Sequence, residues 1–564
     1  MNRTISLVLP LALACACGDA ERPPSGRSET SLEVVVDGEA DLPFDGGLAE
    51  GQLALTFDDG PDPETTRRIL ATLAKHGVLA TFFQVGIHVE SHPEITREIL
   101  AAGHSVGSHT WDHPDLTQLP LAEAIDEVKR GVAAVERASE ARVHDTFFRF
   151  PQFASSDELR AAVRDQALVA FHANIVTEDW LTPDPNELLA KALAAVDAER
   201  HGIVLFHDIQ PQTADMLDAF LDEILARGYE TVVFRPKPTL ASLGAARGIR
   251  VGSYLAATDH PAAFPVARRE LNLYTMPAFI DIVHPAPHTF DFGVVDRTVE
   301  LAPVSTVMLG HCLVYCDPVT AWIAEGSFTG AELEEILVDH VTTVVGHYRT
   351  KYPGRVVAWN VVNEPFSFTG DGCPWNRIGL EAGGRELDYV RIALRAARAA
   401  DPDAKLYVND FGIEALNAKS DRMLRLVGDL QREGVPIDGV GFQSHFSIGE
   451  GGPFPSPPPI EQMVANLNRF SAAGLETAVT EADVSIRDAD VSPETLAEQA
   501  ARFQDLATAC VSADRCVAFI TWGVGDADSW IPEFFPGFGS ALLFDRAFRP
   551  KPAYDAVADA LRVR

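Results

Sequence analysis

Two successive series of short apolar runs, each alternating with helical stretches, constrain this chain more than any other feature. The first holds the runs Leu53–Phe57, Ala80–Val85, Phe147–Phe150, Gly202–Phe206 and Thr231–Phe234, with helical segments such as Glu64–His76 between them. The second holds Thr306–Leu309, Val356–Val362, Lys405–Val408, Gly439–Phe442, Glu476–Val479 and Val517–Trp522, with helical segments such as Glu386–Ala400. A helix that carries the chain back to its starting edge makes successive strands parallel. An α/β protein with two (β/α) units in tandem is therefore expected. Residues 51–235 form the first unit, and residues 248–564 have the length of one (β/α)8 TIM barrel. The Pro-rich segment Arg235–Thr239 punctuates the two, so 236–247 is expected to be a linker.

Ahead of the first series lies Arg3, the apolar run Ile5–Ala14 and then Cys15-Ala16-Cys17-Gly18. The run is too short to span a bilayer and reads as a signal peptide over 1–17, so export is expected and a transmembrane helix is not. Cys15 and Cys17 leave lipid anchoring at the cell envelope and plain secretion as two alternatives. Residues 18–50, rich in Pro, Ser, Gly and acidic side chains, suit a disordered tether. The net charge of -35 excludes nucleic acid and anionic membrane surfaces as partners. A neutral polysaccharide, held by hydroxyl hydrogen bonds and aromatic stacking, is compatible with it. A monomer is expected. Among the seven cysteines, Cys510 and Cys516 are close enough to close a small loop, whereas the pairing of Cys312, Cys316 and Cys373 stays open.

Two groups of residues carry chemistry. Asp58-Asp59-Gly60-Pro61 follows a strand directly, and His109 and His113, four apart, share one face if their stretch is helical. Two imidazoles and one carboxylate suit a zinc-type divalent metal with an open coordination position. The second Asp is then a general base, and His207, ending an apolar strand, a general acid. In the second series Glu364 and Glu481 each follow an apolar strand, so both face one barrel mouth. Such a pair about 5 Å apart performs retaining glycoside hydrolysis, without a cofactor. Gln443-Ser444-His445 ends a third strand, and Trp522 and Trp530 offer flat faces for sugar rings.

The stretches Thr56–Pro61, His109–His113, Arg149-Phe150-Pro151, Asp179-Trp180 and Leu205–His207 resemble the polysaccharide deacetylases of carbohydrate esterase family four, over residues 51–235. The resemblance implies a distorted (β/α) barrel in which Asp58 is the base and Asp59, His109 and His113 hold the metal. It makes His207 the acid, Arg149 and Asp179 the residues that tune base and acid, and Trp180 a substrate contact. Gln152 stands where the family has Tyr, and Val176 where it has Asp.

The stretches Gly310-His311, Trp359–Pro365, Leu406–Asp410, Gly441–His445, Thr480-Glu481, Trp522–Val524, Leu543–Asp545 and Lys551–Tyr554 resemble the xylanases of glycoside hydrolase family ten, over residues 248–564. That resemblance implies Glu364 as acid/base, Glu481 as nucleophile, Asn363 as partner of the sugar 2-hydroxyl and His445 as the group that orients Glu481. It gives Gln443, His311, Trp522 and Trp530 to the subsites, and a Cys510–Cys516 disulfide. Departures cluster on the glycon side: Thr275–Ile282 lacks the family's Glu, Asn and Lys, Tyr315 replaces a Trp, and Cys316 replaces a His. Each lost hydroxyl contact costs ~1–3 kcal/mol where its partner is left unpaired.

Together these readings make a bifunctional exported enzyme, an acetylxylan-type deacetylase joined to a retaining endo-β-1,4-xylanase. The alternatives are a chitin or peptidoglycan N-deacetylase with a glycosidase of altered specificity, or one whose second barrel only binds carbohydrate.

Overall fold

The computed structural model describes residues 31–36, 43–139, 147–257, 261–317, 319–367, 372–381, 383–385 and 387–562. The expected signal segment lies outside the described residues. The chain divides into two compact units, Met1–Pro238 and Thr239–Arg564.

In the first unit every strand pair is parallel, as the alternation requires. Strand Gln52–Asp58 lies against Gly202–His207 from Leu53 to Asp58. On its other side its first residues pair with Glu230–Val232 and its last with Thr81–Phe83. One strand thus serves two neighbours on one edge, which distorts the barrel. Beyond Thr81–Gln84 follow Ser105–Ser108, Phe147–Phe148 and Val169–Ala170. The core beneath stacks Phe57 on Phe82 (5.1 Å) and Phe206 (5.8 Å). Helix Thr65–His76 buries Ile69 and Leu73 and stops at Gly77, whose φ of 66° suits a residue without a Cβ.

Two expectations need correction. Residues 32–36, assigned to a disordered tether, form a strand in register with Val232–Pro236. The β-branched run Val34-Val35-Val36 meets an open strand edge, which outweighs its polar flanks. The expected linker holds helix Leu240–Ala245, with a Thr239–Ser242 capping box and with Leu240 and Ala241 fully buried. Its apolar residues pack against the second unit, to which it belongs.

The second unit is a closed barrel of eight parallel strands: Arg250–Tyr254, Leu273–Pro277, Val307–Val314, Val356–Asn363, Lys405–Asp410, Gly439–Phe442, Glu476–Arg487 and Cys516–Thr521. Closure comes from Gly439–Phe442 against Glu476–Val479, and from Arg250–Ser253 against Ala518–Thr521. Disulfides join Cys510 to Cys516, as expected, and Cys316 to Cys373; Cys312 is free and buried.

The loop after the last strand carries Trp522 and Trp530 and is pinned by a buried ion pair. Lys551 Nζ donates to both Asp526 oxygens (3.2 and 3.1 Å) and to the Ser540 carbonyl (2.9 Å). Burial raises the Asp526 pKa against the pull of Lys551, so the carboxylate depends on its partner. Removing one member of such a pair costs ~3–5 kcal/mol. Lys551→Met is expected to lower the stability of the barrel by about that amount in urea unfolding followed by tryptophan fluorescence.

Candidate active sites

In a parallel sheet all strands end at one edge, and both candidate sites are built there. In the first unit Asp58 ends strand Gln52–Asp58 and His207 ends Gly202–His207, directly beside it in register. His109 and Arg149 follow the strands Ser105–Ser108 and Phe147–Phe148.

Arg149 is wholly buried, and its guanidinium donates to Asp58 Oδ1 (2.7 Å), Thr56 Oγ1 (2.8 Å) and the His172 carbonyl (3.0 Å). The backbone carbonyl of the same residue accepts from His109 Nδ1 (2.8 Å). A carbonyl can only accept, so His109 Nδ1 carries the proton and Nε2 presents its lone pair. Burial lowers the His109 pKa against the charges of Asp58 and Asp59, which keeps the ring neutral. His109 Nε2 lies 3.6 Å and His113 Nε2 3.3 Å from Asp59 Oδ1. That oxygen is buried without a hydrogen-bond partner. An orphaned carboxylate oxygen between two imidazole nitrogens, with ligand atoms all within 4.8 Å, fits a divalent metal.

His109 and His113 do not converge on a helix. The stretch is a bent loop with φ of 69° at Thr110 and 65° at His113, and this turn, not a helical face, brings the rings together.

His207 donates from Nδ1 to Asp179 Oδ1 (2.7 Å), and its backbone N–H donates to Asp179 Oδ2 (2.7 Å). Thr213 Oγ1 also donates to Asp179 Oδ2 (2.7 Å), so Asp179 is held on both oxygens. Burial works against a charged His207. The Asp179 hydrogen bond and charge, with Asp58 and Asp59 beyond, outweigh it and push the pKa up to about 9. Trp180, 45% exposed, stands edge-on to the His207 ring at 5.1 Å.

In the second unit the two glutamates share a cleft of about 570 Å³ with Tyr254, His311, Tyr315, Gln443, His445, Trp522 and Trp530. Glu364 follows strand Val356–Asn363 with φ of 50°. Gln443 Nε2 donates to its Oε1 (3.0 Å) and Ser367 Oγ to its Oε2 (3.1 Å). Glu481 accepts from Asn409 Nδ2 (2.6 Å) and His445 Nε2 (3.2 Å). Asn409 Nδ2 also donates to Asn363 Oδ1 (2.8 Å), which accepts from Gln443 as well (3.2 Å). A continuous set of amides therefore joins the two carboxylates.

Two of these bridging residues were not singled out from sequence. Asn409 sat inside a recognised motif, but only strand pairing places its amide between Asn363 and Glu481. Asp483 accepts from His445 Nδ1 (2.9 Å) and Trp530 Nε1 (2.9 Å), two residues past Glu481 on the same face of the strand. A period-two spacing was the available signal. His311 is buried between the rings of Phe279 (5.2 Å) and Trp522 (4.9 Å) and takes the Asn360 amide on Nδ1 (2.9 Å).

A larger cavity of about 700 Å³ opens at the opposite end of the barrel strands, around Arg250, Tyr407 and Glu476. Neither Glu364 nor Glu481 lines it.

His445 is buried, which opposes its charge, but Asp483 and Glu481 push its pKa up to about 10. A His raised above its unfolded value adds stability that is complete below about 6.5 and is lost as pH rises through about 10. The unfolding free energy of the barrel is expected to fall across that window. In His445→Gln this component of the slope is absent, as denaturant melts at stepped pH will measure.

Known proteins resemble both units. The model of "Glycosyl hydrolase family 10" matches residues 240–560, and that of "Polysaccharide deacetylase" matches 45–171. Asp179 and His207 lie beyond the latter match, yet the sheet brings them to Asp58 and Asp59. The endo-1,4-beta-xylanase A of Phanerodontia chrysosporium is 39% identical over 282 residues, 49% of this chain and 64% of that protein. The endo-1,4-beta-xylanase B of Thermotoga neapolitana is 35% identical over 302 residues, 52% of this chain and 82% of that protein. The chain thus spans less than two thirds of the first relative's length. The crystal structure of xylanase 10B from Thermotoga maritima aligns with a TM-score of 0.51 at 33% identity, covering 57% of this chain and 98% of that one. Xylanase 10B of Thermotoga petrophila, solved with xylobiose, gives 0.51 at 33% identity, covering 58% and 97%.

Proposed function

This chain belongs to glycosyl hydrolase family 10 through residues 240–560, and from that premise we propose that it is an exported bifunctional enzyme acting on acetylated xylan. One unit removes acetyl groups and the other cleaves the β-1,4 backbone with retention. The observation that carries the glycosidase half is the amide network holding Glu364 and Glu481 across one cleft.

In this reading Glu481, oriented by Asn409 and His445, attacks the anomeric carbon while Glu364 protonates the departing oxygen. Glu364 then takes a proton from the incoming water as the covalent intermediate is released. Asn363 offers its Nδ2 to the sugar 2-hydroxyl, while its Oδ1 is engaged by Asn409 and Gln443. Tyr254 and Trp522, 4.6 Å apart, form an aromatic wall for sugar rings.

For the deacetylase, Asp59, His109 and His113 would hold a divalent metal, zinc by the donor set, which supplies Lewis-acid polarisation of the acyl group and water. Asp58, fixed by Arg149, is placed to take the proton of that water. His207, charged at neutral pH, is placed to protonate the departing sugar oxygen. The two reactions are complementary, because an acetyl group blocks a subsite that needs a free hydroxyl. Two disulfides support an oxidising, extracytoplasmic setting.

Asp59→Ala or His109→Ala, or a chelator, is expected to reduce acetate release from acetylxylan at least 100-fold and to spare reducing-sugar release from deacetylated xylan. Glu481→Ala is expected to do the reverse. Loss of both activities from one substitution in a folded protein would overturn the two-site reading.

A further inference from the structure

Five consecutive residues, Gln84–His88, touch both loops that carry Asp59, His109 and His113. The Gln84 carbonyl accepts from the His109 N–H (2.8 Å). The Gly86 and Ile87 N–H groups donate to the carbonyls of Thr110 (2.9 Å) and Trp111 (2.8 Å), between His109 and His113. The Val85 N–H donates to the Gly60 carbonyl (2.9 Å), next to Asp59. All of these contacts are made by backbone. The fifth residue uses its side chain: His88 Nδ1 donates to the Asp59 carbonyl (2.8 Å). A carbonyl can only accept, so Nδ1 carries the proton. Gly86 lets the segment come this close, because a Cβ there would lie 2.8 Å from the Trp111 ring and 3.0 Å from the Gly131 Cα.

Asp59 needs such a hold. Its φ of 75° is left-handed, a conformation that a residue with a Cβ keeps only where its surroundings impose it. The carbonyls on either side are fixed by backbone donors, Asp58 by the Asp208 N–H (3.1 Å) and Gly60 by the Val85 N–H. The Asp59 carbonyl between them takes the His88 imidazole. We propose that His88 is a positioning residue of the metal site, which fixes the peptide after Asp59 so that Asp59 Oδ1 stays between His109 Nε2 and His113 Nε2. The inference rests on the metal reading of those three residues above. His88 is exposed, contributes no ligand atom in this role and moves no proton. Without its donor the Asp59 carbonyl turns to water, the loop relaxes and Oδ1 drifts from the two imidazoles.

Two substitutions separate the donor from the shape of the side chain. Asn bears its Nδ2 on Cγ, as His bears Nδ1, so His88→Asn keeps a donor near the same point. His88→Leu keeps the branch at Cγ and has no donor. Zinc dissociation constants of the full-length parent and both variants are to be measured by competition with a chromophoric chelator. Their unfolding midpoints are to be measured in excess chelator. Groups that hold a metal ligand from behind change metal affinity by about 10–100-fold when removed. Zinc binding is therefore expected to weaken at least about tenfold in His88→Leu and to stay within about threefold of the parent in His88→Asn, with all three midpoints equal. A smaller loss in His88→Leu or a larger one in His88→Asn would overturn the proposal. So would a lowered midpoint in His88→Leu, which would make His88 a residue of the fold rather than of the site. A parent chain that binds no zinc would instead overturn the metal reading itself.

Discussion

Parallel pairing is the constraint on which the rest depends. When every strand is followed by a helix that returns the chain to the same starting edge, all strand ends collect at one mouth. Asp58 and His207 become neighbours because Gln52–Asp58 and Gly202–His207 run in register. Glu364 and Glu481 share a cleft because the ring of eight strands closes. Closure also lets Asn409 reach both Asn363 and Glu481, which no pair of adjacent strands could arrange alone.

Each site handles buried charge in the same way. A charged or polar side chain next to the reacting groups is held by a second one behind it: Asp58 by Arg149, His207 by Asp179, Glu481 by His445, and His445 by Asp483. A lone buried charge would neutralise or destabilise the fold, whereas a paired and fully hydrogen-bonded one keeps a fixed direction and a fixed protonation state. The opposite shifts of the three histidines follow from this. Burial keeps His109 neutral, while the carboxylates behind His207 and His445 keep those rings charged.

Much of this was legible before any coordinates. The two alternating series, the carboxylate and imidazole clusters at strand ends and the order of motifs pointed to both barrels and to Asp58, Asp59, His109, His113, Glu364 and Glu481. The errors have physical causes. The strand Leu32–Val36 lay inside a stretch whose overall composition is polar, and the helix Leu240–Ala245 lay behind a Pro-rich boundary. His109 and His113 were spaced for a helix but meet through left-handed residues, which their identities do not announce. The Cys316–Cys373 bridge spans 57 residues and had no local signature.

The chain by itself determined which residues could do chemistry and that they would sit at strand ends, because side-chain chemistry and hydrophobic periodicity are local properties of sequence. Only the tertiary structure decided which of them touch. The partnership of Asn409 with Glu481 and of Asp483 with Trp530 depends on barrel closure. Those contacts join segments tens of residues apart, and their geometry is set by packing that no local pattern encodes.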